Sequence, residues 1–147
     1  MIERVVVIEC PADLAFLALL RQSIDALCES VMLDMDMYQL QLAVSELVAN
    51  IVIHAYQGVV GGKIEFRIAL GESVVMLDLF DRGAVYKATE PRLPDSDALL
   101  EGGYGLFLMQ QSLDVMQYSR GADQRNHWHL EKRLAVAAHQ GGKTKWM

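Results

Sequence analysis

The sequence predicts an α+β fold: a two-layer α/β sandwich in which helices cover one face of a mostly antiparallel, mixed sheet. The chain has 147 residues, of which 52% are hydrophobic, which is enough for one domain with its own core. Apolar residues recur in steps of three and four before position 56 and alternate with polar residues between positions 63 and 80. Two adjacent strand pairs with helices left over favour two layers.

The N-terminal part of the chain predicts one strand and two helices. The β-branched run Arg4 to Glu9 is typical of a strand. The first helix is expected to span Pro11 to Val31, because a proline in the first turn lacks only an N–H that has no helical partner. The second helix is expected from Met37 to about Tyr56, with Asp34 or Asp36 as its N-cap.

The C-terminal part predicts two antiparallel strand pairs joined by a long connection. Lys63 to Leu70 and Val74 to Phe80 alternate across a tight turn and form the first hairpin. Val115 to Ser119 and His127 to Leu134 form the second pair. The connection between the hairpins is long enough to be a lid or a binding loop, and a helix over Leu106 to Leu113 closes it.

Composition limits the classes of function. The net charge of −6 argues against nucleic acid, which favours a basic surface. No apolar run approaches the roughly 20 residues that span a bilayer, and no signal peptide is evident, so we expect a cytoplasmic protein without a membrane partner. Cys10 and Cys28 lack a metal-ligand spacing and are expected to be buried thiols. Residues 1–134 are expected to form the domain, with 135–147 as a flexible tail.

The second predicted helix carries a polar pair, Glu46 and Asn50, four residues apart and therefore on one face. The carboxamide oxygen of Asn50 is suited to Mg²⁺, and the Glu46 carboxylate could accept a proton from a hydroxyl group or water. When the pair is taken alone, two polar residues on a solvated helix face are the better explanation.

Two further motifs follow in order. Asp81 could accept a hydrogen bond from an exocyclic amine such as that of adenine, and Gly83 would let a flat ligand approach the backbone. Gly102, Gly103 and Gly105 precede a predicted helix, whose free amides suit phosphate. A plain turn and a flexible loop are the alternatives for each motif alone. His127 and His129 alternate on a strand and are interpreted as a solvated face, because a zinc site needs more ligands.

The three motifs in this order resemble the GHKL-type ATPases, whose fold is the Bergerat (histidine-kinase-like) fold. The segments are SELVANIVIHAY, DRGAVY and GGYGLFLM, and the resemblance extends over about residues 3 to 134. Within that group the chain is most similar to the bacterial anti-sigma-factor serine/threonine kinases of sporulation and stress response.

The resemblance implies roles for individual residues. Glu46 would be the general base, and Asn50 would be the Mg²⁺ ligand. Asp81 would bind adenine, and Gly103 and Gly105 would hold the phosphates of ATP. The nucleotide-contacting set implied in this way is Asn50, His54, Asp81, Gly83, Val85, Gly102, Gly103, Tyr104, Gly105 and Leu106.

The resemblance also implies partners. Such a kinase phosphorylates a serine of a STAS-type anti-anti-sigma protein, binds a sigma factor and often forms a homodimer. Two positions depart from the family pattern: Glu101 precedes the glycines and Ile53 precedes His54, where relatives often carry basic residues. Two alternatives are a nucleotide-binding module that sequesters a partner without kinase turnover, and an unrelated two-layer domain.

Overall fold

Five antiparallel strands form the sheet of this protein, as seen in a computed structural model that describes residues 2–86 and 110–134. The strands are β1 (Ile2–Pro11), β2 (Lys63–Gly71), β3 (Val74–Asp81), β4 (Val115–Arg120) and β5 (Asn126–Arg133). Their spatial order is β1-β2-β3-β5-β4, and each neighbouring pair is antiparallel. The α+β prediction is confirmed, and both predicted strand pairs are present.

The two faces of the sheet differ in polarity because strand side chains alternate. On β3, Leu77 and Leu79 are fully buried, whereas Asp78 and Phe80 on the other face are partly exposed. The inner face packs against two helices, α1 (Leu17–Cys28) and α2 (Asp34–Asn50), in one continuous apolar core. Both free cysteines of the described chain, Cys10 and Cys28, are buried, as expected.

The first helix begins later than predicted. Pro11 is the last residue of β1, paired with Lys63, and a single 3₁₀ turn capped by the Asp13 carboxylate precedes α1. A proline is tolerated here because β1 is an edge strand, where a missing N–H breaks no ladder in the sheet interior. Pro11, which was predicted to begin the first helix, therefore belongs to β1 instead.

The start of α2 also differs from the prediction. Leu33 is the residue before the helix, and it makes no side-chain cap. Asp34 and Asp36 both lie inside the first turn, so neither is the N-cap. Carboxylates in that turn still interact favourably with the positive end of the helix dipole.

After Asn50 the helix widens into a π-helical turn, Ile51–Ala55. The Tyr56 amide donates to the Ile51 carbonyl, five residues back, at 3.0 Å. The extra residue moves the core stripe, so that Tyr56 is 7% exposed while Ala55 is only half-buried. The predicted α-helix to about Tyr56 was therefore wrong in its last turn, which is π-helical.

The predicted helix over Leu106 to Leu113 lies mostly outside the described residues, although residues 110–112 are helical. The predicted flexible tail also lies outside them. None of the described helices combines the length and the apolar character that crossing a bilayer requires.

Candidate functional site

The candidate site centres on Asp81, the last residue of β3, which is 2% exposed. Its Oδ1 accepts hydrogen bonds from the Gly83 amide at 2.9 Å and from Asn126 Nδ2 at 2.8 Å. Its Oδ2 is also buried and has no hydrogen-bond partner among the residues described. A buried acceptor without a donor costs roughly 1–3 kcal/mol. A donor from a ligand would remove this cost.

Competing effects set the ionisation of Asp81. Burial raises the pKa of its carboxyl group, and this effect is the largest. The hydrogen bonds from Asn126 and Gly83 and the positive charge of Arg120 pull the pKa down, but the net pKa remains raised. The neighbours of Asp81 thus reduce the cost of its buried charge without removing it.

Asn126, the first residue of β5, organises the turn that follows Asp81. It lies opposite Asp81 in the sheet and is 1% exposed. Besides its bond to Asp81, Nδ2 donates to the carbonyls of Gly83 and Ala84, at 3.1 Å each. Its Oδ1 accepts from the Tyr118 hydroxyl and from Arg120 Nη1. One carboxamide therefore joins β3, β4 and the turn.

Gly83 packs directly against the end of the π-helical turn. A Cβ atom at this position would lie 2.5 Å from the Ala55 carbonyl oxygen. The next amide, that of Ala84, donates to the same oxygen at 2.7 Å. The structure thus gives a reason for glycine that differs from the expected one, because the helix end rather than a flat ligand occupies the space.

Tyr56 also holds the turn after β3 in place, through its hydroxyl group. Its hydroxyl accepts from the Arg82 amide and donates to the Lys63 carbonyl, both at 2.7 Å. Its ring lies against Gly62, where a Cβ atom would come within 2.7 Å of a ring carbon. The chain after α2 is therefore tied to the start of β2 and the end of β3.

The first two sequence motifs meet at this end of the domain. Glu46 and Asn50 are half-buried, one turn apart at the C-terminal end of α2, and Asn50 is its last residue. His54 is exposed within the π-helical turn. Because Ala55 contacts Gly83, the helix that carries Glu46 and Asn50 ends against the turn that follows Asp81.

After the turn that follows β3, Tyr86 packs in an aromatic cluster with Tyr118 and Trp128. Val85 is 49% exposed, and the Tyr86 amide donates to the Tyr118 hydroxyl at 3.0 Å. The Tyr86 ring lies edge-on to Trp128 with centroids 4.8 Å apart. The remaining predicted site residues lie outside the described part of the chain: Gly102, Gly103, Tyr104, Gly105 and Leu106.

An open pocket of about 430 Å³ also reaches Asp81. Tyr56, Val60, Lys63 and Arg82 contribute to its lining, whereas Glu46 and Asn50 do not. Among the residues that the structure describes, the pocket therefore shares only Asp81 with the set predicted from the sequence.

Sequence reasoning missed the residues that support Asp81. Asn126 and Arg120 come from the second hairpin, and Ala55 acts through its backbone. Asn126 directly precedes the predicted strand His127 to Leu134, but the sequence did not predict that this strand pairs with β3, so nothing in it placed Asn126 beside Asp81. The hydrogen bonds of the Tyr56 hydroxyl to Arg82 and Lys63 were not predicted either.

The fold and this site define a class: a two-layer α+β domain in which a buried carboxylate lies where a central strand meets the end of a helix. Comparison with known proteins identifies the class more closely. Residues 10–132 match the family described as the histidine kinase-like ATPase domain, and the chain belongs to that family.

Named relatives cover different shares of the chain. A serine-protein kinase RsbW from Oceanobacillus iheyensis is 34% identical over 83 residues, 51% of this chain and 52% of the relative. An anti-sigma F factor from Bacillus licheniformis is 26% identical over 125 residues, 82% of this chain and 79% of the relative. A serine-protein kinase RsbW from the same species is 32% identical over 90 residues, 56% of each chain. The chain thus spans about half the length of each of the two kinases, and the resemblance to the anti-sigma kinases is confirmed at modest identity.

Proposed function

We propose that this protein is an ATP- and Mg²⁺-dependent protein serine/threonine kinase that acts as an anti-sigma factor and phosphorylates a serine of a STAS-type anti-anti-sigma partner. The single observation that carries the proposal is the buried, unpartnered Oδ2 of Asp81. The family match and the names of the relatives support the same activity.

ATP would bind with its adenine at Asp81. The exocyclic amine of adenine is a donor, and Oδ2 is the acceptor that lacks one. Asn126 and the Gly83 amide hold the other oxygen, so the carboxylate is already oriented before a ligand arrives. The base would therefore be recognised by a preformed acceptor with little reorganisation.

The phosphate end would lie towards Asn50. Its carboxamide oxygen is a hard donor of the kind that Mg²⁺ prefers, and the ion would neutralise phosphate charge. Gly102, Gly103 and Gly105 would offer backbone amides to the phosphates, with Tyr104 and Leu106 beside them. His54 and Val85, both exposed next to the site, would line its edge.

Glu46 would act as the general base. Its carboxylate would accept the hydroxyl proton of the partner's serine as the serine oxygen bonds to the γ-phosphorus. The bond from that phosphorus to the β–γ bridging oxygen breaks, and ADP leaves with the electron pair. The products are phosphoserine on the partner, ADP and a protonated Glu46.

The partners follow from the same proposal. A STAS-type protein would present the serine. The kinase would hold or release a sigma factor, and it would regulate transcription in this way without itself contacting nucleic acid. The reaction would take place in the cytoplasm, where ATP is available and where Cys10 and Cys28 would stay reduced. A homodimer is the assembly that we expect.

A second candidate is a nucleotide-binding module that sequesters its partner without phosphotransfer. It is favoured by Glu101, an acid immediately before the glycines, where a basic residue would stabilise the transferring phosphoryl group.

Calorimetry with ATP and MgCl₂ tests the nucleotide site. Asp81→Asn should weaken binding by about 10- to 100-fold, since a carboxamide N–H₂ turned towards adenine replaces the acceptor. Asp78→Asn, the same change three residues earlier on the opposite face, is the matched control and should bind normally. Equal affinity of wild type and Asp81→Asn would contradict the site.

Phosphotransfer to a co-encoded STAS protein separates the two candidates. Wild type should form phosphoserine, and Glu46→Gln should slow this by about 10²- to 10⁴-fold with ATP affinity retained. If wild type binds ATP but forms no phosphoserine, the module without turnover is the function.

A further inference from the structure

A second cluster of chemically active side chains lies on the outer face of the sheet, away from the helices. Asp78 on β3 is paired directly with His129 on β5, and His127 follows two positions away on the same face of β5. Antiparallel pairing places such side chains next to each other on a rigid surface. Their side chains are 16% exposed for Asp78, 34% for His127 and 23% for His129, so solvent reaches them.

The donor atoms of the three residues converge. Asp78 Oδ1 lies 2.6 Å from His127 Nε2 and 2.7 Å from His129 Nδ1. All three donor atoms lie within 4.8 Å of one another. Zinc bonds of about 2.0–2.1 Å to nitrogen and oxygen place tetrahedral ligands roughly 3.3 Å apart, so each of the two separations between Asp78 and a histidine would lengthen by about 0.6–0.7 Å.

The groups around the cluster orient it. His129 Nε2 lies 2.7 Å from Glu131 Oε2, so the ring has one nitrogen towards the cluster and the other on a carboxylate. Carboxylate–histidine–metal arrangements of this kind fix the tautomer and orientation of a ligand. The His127 ring is stacked on Phe80 with centroids 4.3 Å apart, and the Arg125 guanidinium lies 3.8 Å above the other ring of that pair, Phe80.

We propose that Asp78, His127 and His129 form a binding site for a divalent transition-metal ion of the zinc type. Two imidazoles and one carboxylate suit zinc, whereas Mg²⁺ prefers oxygen donors alone. Three protein ligands leave a fourth position for water or a group from another molecule. The earlier interpretation of His127 and His129 as a solvated face was incomplete, because the sequence did not show that Asp78 and Glu131 join them.

The site is separate from the proposed nucleotide site. Leu77 and Leu79, which alternate with Asp78 on β3, are fully buried on the inner face. A zinc-type ion here is therefore independent of the Mg²⁺ proposed at Asn50, and either proposal can fail without the other.

Calorimetric titration of Zn²⁺ into the tag-free, chelator-treated full chain, without nucleotide, tests the proposal. Wild type should bind one ion per chain at this site, and His129→Ala should weaken binding by at least 100-fold. Glu131→Gln should weaken it by about 10- to 100-fold, as expected for a carboxylate that orients a ligand. His54→Ala, which changes an exposed histidine of the π-helical turn outside the cluster, is the control and should bind normally.

Circular dichroism melting curves establish that each variant is folded. Asp78→Asn keeps the size of the side chain and provides a second ligand variant that should also weaken binding. With Co²⁺ as a spectroscopic probe, wild type should show the visible absorption of a nitrogen- and oxygen-ligated ion, and both ligand variants should lose it. Absence of one-to-one Zn²⁺ binding by wild type, or full affinity in folded His129→Ala and Asp78→Asn, would overturn the proposal.

Discussion

The two carboxylate oxygens of Asp81 have opposite surroundings. Oδ1 accepts two hydrogen bonds from within the protein, whereas Oδ2 is buried with no partner in the described chain. The first arrangement fixes the side chain, and the second leaves a free energy cost that a ligand donor would remove. A residue that served only the fold would be expected to have both oxygens satisfied.

The raised pKa of Asp81 gives a test that needs no nucleotide. Folding raises this pKa, so the protonated Asp81 carboxyl group contributes to the free energy of unfolding. This contribution is fully present below the ordinary pKa of an aspartate and is lost as pH rises through the raised pKa. Asp81→Asn keeps an Oδ1 acceptor and carries no charge. The variant should therefore gain in free energy of unfolding relative to wild type as pH rises above about 4, and then level off.

Urea unfolding of the two proteins at a series of pH values, without nucleotide, measures this difference. Glu72→Gln, which removes an exposed carboxylate in the turn between β2 and β3, is the control. A difference that stays constant with pH would show that Asp81 ionises in the folded protein as it does in the unfolded chain.

At the scale of the element, the segment after α2 joins parts of the fold that are distant in sequence. Ala55 accepts from the Ala84 amide, and the Tyr56 hydroxyl bridges Arg82 and Lys63. These bonds position the turn after β3 against the helix that carries the polar pair. Within the His-Ala-Tyr sequence, Ala55 and Tyr56 therefore form a structural joint between the end of the helix, the start of β2 and the turn after β3.

Tyr56→Phe tests this joint. The change leaves the Arg82 amide and the Lys63 carbonyl without their partner, which should lower the free energy of unfolding by about 1–3 kcal/mol. Hydrogen exchange should show faster exchange of the Arg82 amide. Tyr38→Phe, at a site 62% exposed, is the matched control and should change neither quantity. Unchanged stability together with unchanged Arg82 exchange would contradict the role of the hydroxyl.

The elements themselves were largely predictable, and the exceptions have physical causes. Strand and helix periods depend on local patterning, so the five strands and both helices were found. Pro11 was misread because its place depends on β1 being an edge strand, which is a property of the whole sheet. The widened turn was missed because an extra residue in a helix changes the phase of the pattern without changing its composition.

The candidate site was predictable only where a motif is local. Asp81 lies at the end of a recognisable strand, and Glu46 and Asn50 are one turn apart on a recognisable helix. Asn126 could not be assigned because its role arises from strand pairing across 45 residues. The proximity of Asp78 to His127 and His129 could not be predicted for the same reason, because it also arises from the pairing of β3 with β5.

At the scale of the molecule, one sheet presents two different surfaces. Its inner face and the helices enclose a single apolar core that includes Ile24, Leu47 and Phe66. Its outer face carries the polar cluster around Asp78. Adjacent residues of β3 thus face opposite sides of the sheet: Leu77 and Leu79 face the core, and Asp78 faces the outer cluster. Both faces depend on the same core, because it holds the sheet in place.

The buried thiols report on this core. The pKa of Cys28 is raised to about 12, mainly by burial and in addition by the charge of Asp25, with Arg4 opposing, and burial also raises the pKa of Cys10. The reactive species is the thiolate, so a thiol reagent at pH 8 should modify Cys28 only when the helix layer leaves the sheet. We expect a rate at least about 10³-fold slower in the native protein than in urea.

Labelling with a chromogenic disulfide reagent measures both rates, and two thiols per chain should react in urea. Cys10→Ser isolates the signal of Cys28. Rapid labelling of Cys28 in the native variant would mean that the core opens locally without unfolding of the domain.

The five-residue reach from the Ile51 carbonyl to the Tyr56 amide also matters for how this chain is compared with others. A π-helical turn uses about one residue more than an α-helical turn to cover the same rise. Against a relative whose helix is regular here, the correct alignment places a one-residue gap between Ile51 and Ala55. Without that gap, every position from His54 to the first strand after it is matched one place out of step, and a histidine or tyrosine that is equivalent in space is scored as a substitution.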